Sequence, residues 1–166
     1  LRALLSIPVL LAALILQTTV LSRITLLGGN ADLVLLIVIA WSIQEEVDTT
    51  WQWAVIGGLL VGLVSKLPFY FYIPLFVITA GFAFWLRRRF WQVPVISMFL
   101  TTVIGTALIQ TATMLVLQFT ETPFSFSEAF GFVILPSLLL NLLLAIPVYA
   151  IITDLARSVY RTARIE

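Results

Sequence analysis

Four polar side chains interrupt an otherwise apolar stretch at Thr102, Thr106, Gln110 and Thr113, at steps of four, four and three. Those steps put all four on one face of a helix. Hydroxyls and a carboxamide both donate and accept hydrogen bonds, and an unpaired amide in hydrocarbon is costly. The face must therefore meet protein, water or a ligand. Gln17, Ser137 and Asn141 are polar groups in other apolar stretches that could answer it. Two readings stay open: bonds that tie helices together, and a small-molecule pocket. Asp32 is the only carboxylate near the start of an apolar stretch, just after Gly28-Gly29-Asn30. It reads as a helix N-cap at the positive end of the macrodipole. The alternative, an ion or proton path, lacks a second acid or base nearby.

Other chemistry is excluded by residue type. Cysteine and histidine are both absent, so no disulfide, thiolate nucleophile, histidine base or Cys/His metal site can form. With carboxylates confined to loops and one helix start, an enzyme needing an intramembrane acid, base or nucleophile is the weakest reading. No cofactor or metal is expected. Nucleic-acid binding lacks a basic excess, since nine Lys and Arg against eight Asp and Glu leave a net charge of +1.

The elements that must position these groups are membrane helices. Hydrophobic residues make up 61% of the chain and charged residues 10%, with a mean hydropathy of +1.13. The apolar runs are too long for barrel strands. Six spans are expected, at 3–21, 32–43, 51–66, 69–86, 94–119 and 129–153, in one polytopic domain covering 1–166. The first run reaches Leu21 without a small-residue cleavage site and reads as a retained span. The second is short for a crossing and must lean on its flanks, a thin region or its neighbours. Six spans put both termini on one side. With that side cytoplasmic, Arg2, Arg87, Arg88, Arg89, Arg157, Arg161 and Arg164 lie inside and only Arg23 and Lys66 outside, as the positive-inside rule requires. The expected fold is an all-α integral membrane protein, N-in and C-in.

Ala54, Gly58 and Gly62 set a small residue at every fourth position, which lets helix backbones approach closely. The stripe reads as internal packing, with a partner groove as the alternative. Trp51, Trp53, Trp85 and Trp91 read as an inner aromatic belt, and the Phe69–Tyr72 run as an outer one. Arg87, Arg88 and Arg89 read as a topology anchor. The segment 154–166 reads as a cytoplasmic amphipathic tail with Arg157, Arg161 and Arg164 on one face, lying along anionic lipid or against a protein. Pro147 is expected to kink the last span, while Pro136 sits near its first turn.

The segment from Ile134 to Arg157, with Pro136, Asn141, Pro147 and Tyr149, resembles the closing span of the rod shape-determining protein MreD family. Asp32-Leu33 match that family's Pro-Asp-Leu pattern, with Ala31 in place of the proline, and the stretch through Gly58, Gly62 and Arg87–Phe90 is similar too. Lys66 departs from it, standing where the family commonly carries Asp. The resemblance implies a non-enzymatic scaffold subunit of the elongation machinery in the bacterial cytoplasmic (inner) membrane. It implies an MreC-like bitopic partner and, through it, MreB, RodA and a penicillin-binding transpeptidase acting in peptidoglycan synthesis. It also implies an architecture like the substrate-binding subunits of energy-coupling-factor transporters. A vitamin-binding subunit of such a transporter is therefore the rival reading, with Thr102, Thr106, Gln110 and Asn141 as pocket candidates.

Overall fold

The computed structural model describes residues 4–23, 28–45, 47–90, 92–120 and 126–162. Every regular element among them is helical. In chain order these are α1 (Ser6–Thr19), a 3-10 turn at Leu21–Arg23, α2 (Leu33–Ile43), α3 (Thr50–Val64), α4 (Phe69–Arg89) and α5 (Pro94–Thr120). A short α6 (Phe126–Ala129) and a π-helical turn (Phe130–Ile134) then lead into α7 (Leu135–Thr162). Ser6–Arg23, Phe69–Arg89, Pro94–Phe119 and Phe130–Tyr160 are long and apolar enough to cross a membrane. Helices α2 and α3, of 11 and 15 residues, are shorter. At 1.5 Å per residue they reach about 16 and 22 Å, against about 30 Å of hydrocarbon.

The short α2 is the axis of the bundle. Each residue from Val34 to Ile43 is buried, and α1, α3, α4, α5 and α7 all contact this helix. A helix apolar on every side belongs in a core. The surrounding helices turn apolar faces outward instead: Leu63 is 65% exposed, Leu143 73% and Ile151 66%. Large exposed apolar side chains spread over several helices suit a lipid surround.

Glycine allows a backbone-on-backbone approach between α3 and α4. A Cβ on Gly58 would lie 2.8 Å from Ile73 Cα, and one on Gly62 2.6 Å from Phe69 Cα. The stripe begun at Ala54, itself fully buried, is thus filled by the next helix in the chain. Ser65 closes the hairpin by donating to the Tyr72 hydroxyl at 2.9 Å and accepting from Leu67 N–H at 3.2 Å. A second close seam joins α5 to α4, where a Cβ on Gly105 would lie 2.5 Å from Thr79 Cγ2. Ser97, Thr101 and Gly105 repeat every four residues and are all buried. That small-residue pattern is legible in the sequence, one position before the polar spacing of Thr102 and Thr106.

Three expectations change. Trp53 is no belt residue: it is fully buried and stacks on Trp41 with ring centroids 4.0 Å apart. Trp51 and Trp85 are exposed, while Trp91 lies outside the described residues. As far as Thr162 the segment after Thr153 is not a separate tail, because α7 continues unbroken to that residue with Pro147 inside it. Tyr160 near its end is buried and donates to Asp48 Oδ1 at 2.9 Å, which holds the helix against the α2–α3 loop. Finally, the last long helix does not start cleanly at residue 129. Pro136 has no N–H to offer the carbonyl of Phe132, four residues back. That carbonyl accepts from Gly28 N–H at 2.9 Å instead, and the turn before α7 is π-helical.

Candidate functional site

The first residues of any helix carry N–H groups with no partner inside the helix. For α2 this end is enclosed by protein, so side chains must answer it. Asp32 is the N-cap, and its Oδ1 accepts from Leu35 N–H at 3.0 Å. Gln17 Oε1, from α1, accepts from Val34 N–H at 3.2 Å. Asn141 Oδ1, from α7, accepts from Asp32 N–H at 2.8 Å, across 109 residues of sequence. Ser137 Oγ, one turn earlier, accepts from Asn30 N–H at 3.0 Å.

The polar face of α5 completes the set. Asn141 Nδ2 donates to Thr106 Oγ1 at 2.9 Å, and Gln110 Nε2 to Ser137 Oγ at 3.4 Å. Asn141 is fully buried and spends its acceptor on α2 and its donor on α5. Gly29 is required at the crossing: a Cβ there would come within 2.5 Å of Ser137 N and 2.7 Å of Pro136 Cβ. Five of the seven intramembrane polar residues singled out in the sequence therefore meet at one place. Thr102 does not join them; its hydroxyl is buried with no partner among the described residues, as are those of Ser97 and Thr101. Thr113 lies half-buried beyond Gln110 and outside these bonds.

The opposite end of α2 is closed by different chemistry. Arg87, near the end of α4, donates from Nη1 to the carbonyl of Gln44 and, at 3.5 Å, to that of Val47. A cation at the C-terminal end of a helix complements its unpaired carbonyls. Gln44 Nε2 donates to Ala40 O and to Thr153 Oγ1 on α7, both at 3.0 Å. Trp41 Nε1 donates to Thr49 Oγ1 at 3.1 Å. Arg88, Arg89 and Arg157 are exposed. The side chain of Arg161, with Arg2 and Arg164, lies outside the described residues.

The contacts also give helix directions. The C-terminal ends of α2 and α4 meet through Gln44 and Arg87, and Thr153 of α7 lies beside them. The starting residues of α2 instead meet Gln17 near the end of α1 and Asn141 of α7, which in turn bonds Thr106 in the middle of α5. What this constellation does chemically is satisfy backbone: neutral amides, hydroxyls and one carboxylate cap a buried helix at one end, and a guanidinium caps it at the other. Comparison with family models, curated proteins and solved structures returns no match.

Proposed function

We propose that the chain is a six-crossing, N-in/C-in membrane scaffold with no catalytic role of its own, acting in a rod-shape or elongation complex of a bacterial inner membrane. The observation that carries this reading is the use made of the intramembrane polar groups. Gln17, Thr106, Gln110, Ser137 and Asn141 bond to the start of α2 and to one another. They serve to hold a rigid bundle whose outward surface is apolar. The alternating helix directions and the shelter given to α2 support six crossings, since a short helix can cross where its neighbours line it.

The resemblance of the 134–157 segment to MreD supplies the particular complex, with an MreC-like bitopic protein as the direct partner. The vitamin-binding alternative has less support. Asn141 and Thr106 bond each other, Gln110 bonds Ser137, and Thr102 is fully buried. Purification of a tagged chain in mild detergent separates the two. The scaffold reading expects a bitopic partner to be retained at stable stoichiometry. Retention of a vitamin together with ATPase subunits would replace it with the transporter reading.

A further inference from the structure

A half-open cavity of about 300 Å³ lies beyond the C-terminal end of α2, lined by Gln44, Glu45, Pro94, Tyr149, Thr153 and Arg157 among others. Its volume falls at the small end of the range for small-molecule sites. Its lining carries separated charge. Arg157 supplies a guanidinium from α7, and Pro94 is the first residue of α5, a 27-residue helix whose N-terminal end attracts anions. Glu45 supplies a carboxylate beside the C-terminal end of α2. The neighbouring cation, Arg87, stands outside this lining, bonded to the carbonyls of Gln44 and Val47 and within electrostatic reach of Glu45; among the described residues, Arg157 is the lining's cation. Tyr149 adds a hydroxyl.

The level of the cavity is marked independently. Trp51, at the start of α3, and Trp85, near the end of α4, belong to the same end of the bundle and are 50% and 59% exposed. Exposed tryptophans favour the headgroup layer of a bilayer. A lone anion would meet Glu45, and a lone cation would meet Arg157 and the start of α5. A zwitterion that holds a phosphate and a hydrogen-bonding ammonium together satisfies both halves.

We propose that this cavity binds the headgroup of a phosphoethanolamine lipid, its phosphate on Arg157 and Tyr149, favoured by the dipole of α5, and its ammonium on Glu45. The proposal needs only an embedded bundle and is independent of the complex proposed above. It predicts a preference for the primary ammonium of phosphatidylethanolamine over phosphatidylcholine, whose trimethylammonium has no N–H to donate. It also predicts a preference over phosphatidylglycerol, which has no cation for Glu45.

The test is native mass spectrometry of delipidated protein titrated with each of the three lipids, and with soluble O-phosphoethanolamine. Wild type should retain phosphatidylethanolamine roughly tenfold better than either other lipid, on the scale of one charge-assisted hydrogen bond. Arg157→Gln should weaken phosphatidylethanolamine by a similar factor. Glu45→Gln should erase the preference over phosphatidylcholine and improve phosphatidylglycerol. Both side chains are exposed, and melting temperatures matching wild type would show that the variants fold; Tyr149→Phe is a milder variant expected to cost a few-fold. Equal retention of all three lipids, no effect of Arg157→Gln, or binding of O-phosphoethanolamine as tight as the lipid would overturn the proposal.

Discussion

Asn141 is the residue on which most of the internal polar bonding turns, because one buried carboxamide joins three parts of the chain. Its replacement by Leu keeps the branched outline but leaves Asp32 N–H without its acceptor and Thr106 without its donor. The expected loss is about 1–3 kcal/mol, the cost of stranding buried polar groups; Thr113→Val, outside the bonded set, should change stability by less than about 0.5 kcal/mol. Reversible unfolding in mixed micelles would measure both, and equal effects would contradict the division between them. The three arginines at the end of α4 also separate at this scale. Arg87→Gln removes the cap on Gln44 and Val47 and should lower the melting temperature, whereas Arg88→Gln, an exposed site, should leave it nearly unchanged. Identical behaviour of the two would mean that Arg87 is only one more topology charge.

Among the helices, the α3–α4 pair gives the sharpest contrast because its contact is backbone on backbone. Gly62→Ala places a methyl 2.6 Å from Phe69 Cα, where no flexible side chain can yield. Helix α3 must move away from α4, at a cost of about 1–3 kcal/mol for overpacking. Gly131→Ala meets nothing within 4 Å and should be neutral or slightly stabilising in the same unfolding assay. A tolerated Gly62→Ala would show that the helices can part without loss. At the other end of α3, Trp53→Ala removes a fully buried ring stacked on Trp41. The expected cost is about 3–5 kcal/mol, typical of large aromatic truncations in cores, and tryptophan fluorescence during unfolding would follow it. A belt tryptophan would show a far smaller change.

For the whole molecule, the proposed orientation can be tested cleanly because the chain has no cysteine. Lys66→Cys, at the exposed tip of the α3–α4 hairpin, should react with a membrane-impermeant thiol reagent in intact cells. Arg89→Cys should react only after the membrane is opened. Labelling of both from one side would refute the alternation of six crossings. Neutralising Arg87, Arg88 and Arg89 together should give mixed reporter-fusion signals at the C-terminus, since seven of nine basic residues are assigned to one side. Unmixed signals would assign orientation to the remaining charges.

Composition and spacing by themselves determined the helical character, most helix positions, the polar set and the small-residue stripe on α3. Each is a local property: an apolar run has a length, and steps of three and four define a face. They could not determine that α2 is the axis, because a helix lined by neighbours and one lined by lipid are equally apolar in sequence. Nor could they show that Trp53 lies inside or that Arg87 closes a helix. They left open what the polar face of α5 answers, since its partners, Ser137 and Asn141, sit on α7 and pass the bonding on to the start of α2. Only the tertiary structure decided that, because the unpaired N–H groups at the start of α2 exist as a demand only once neighbouring helices have enclosed them.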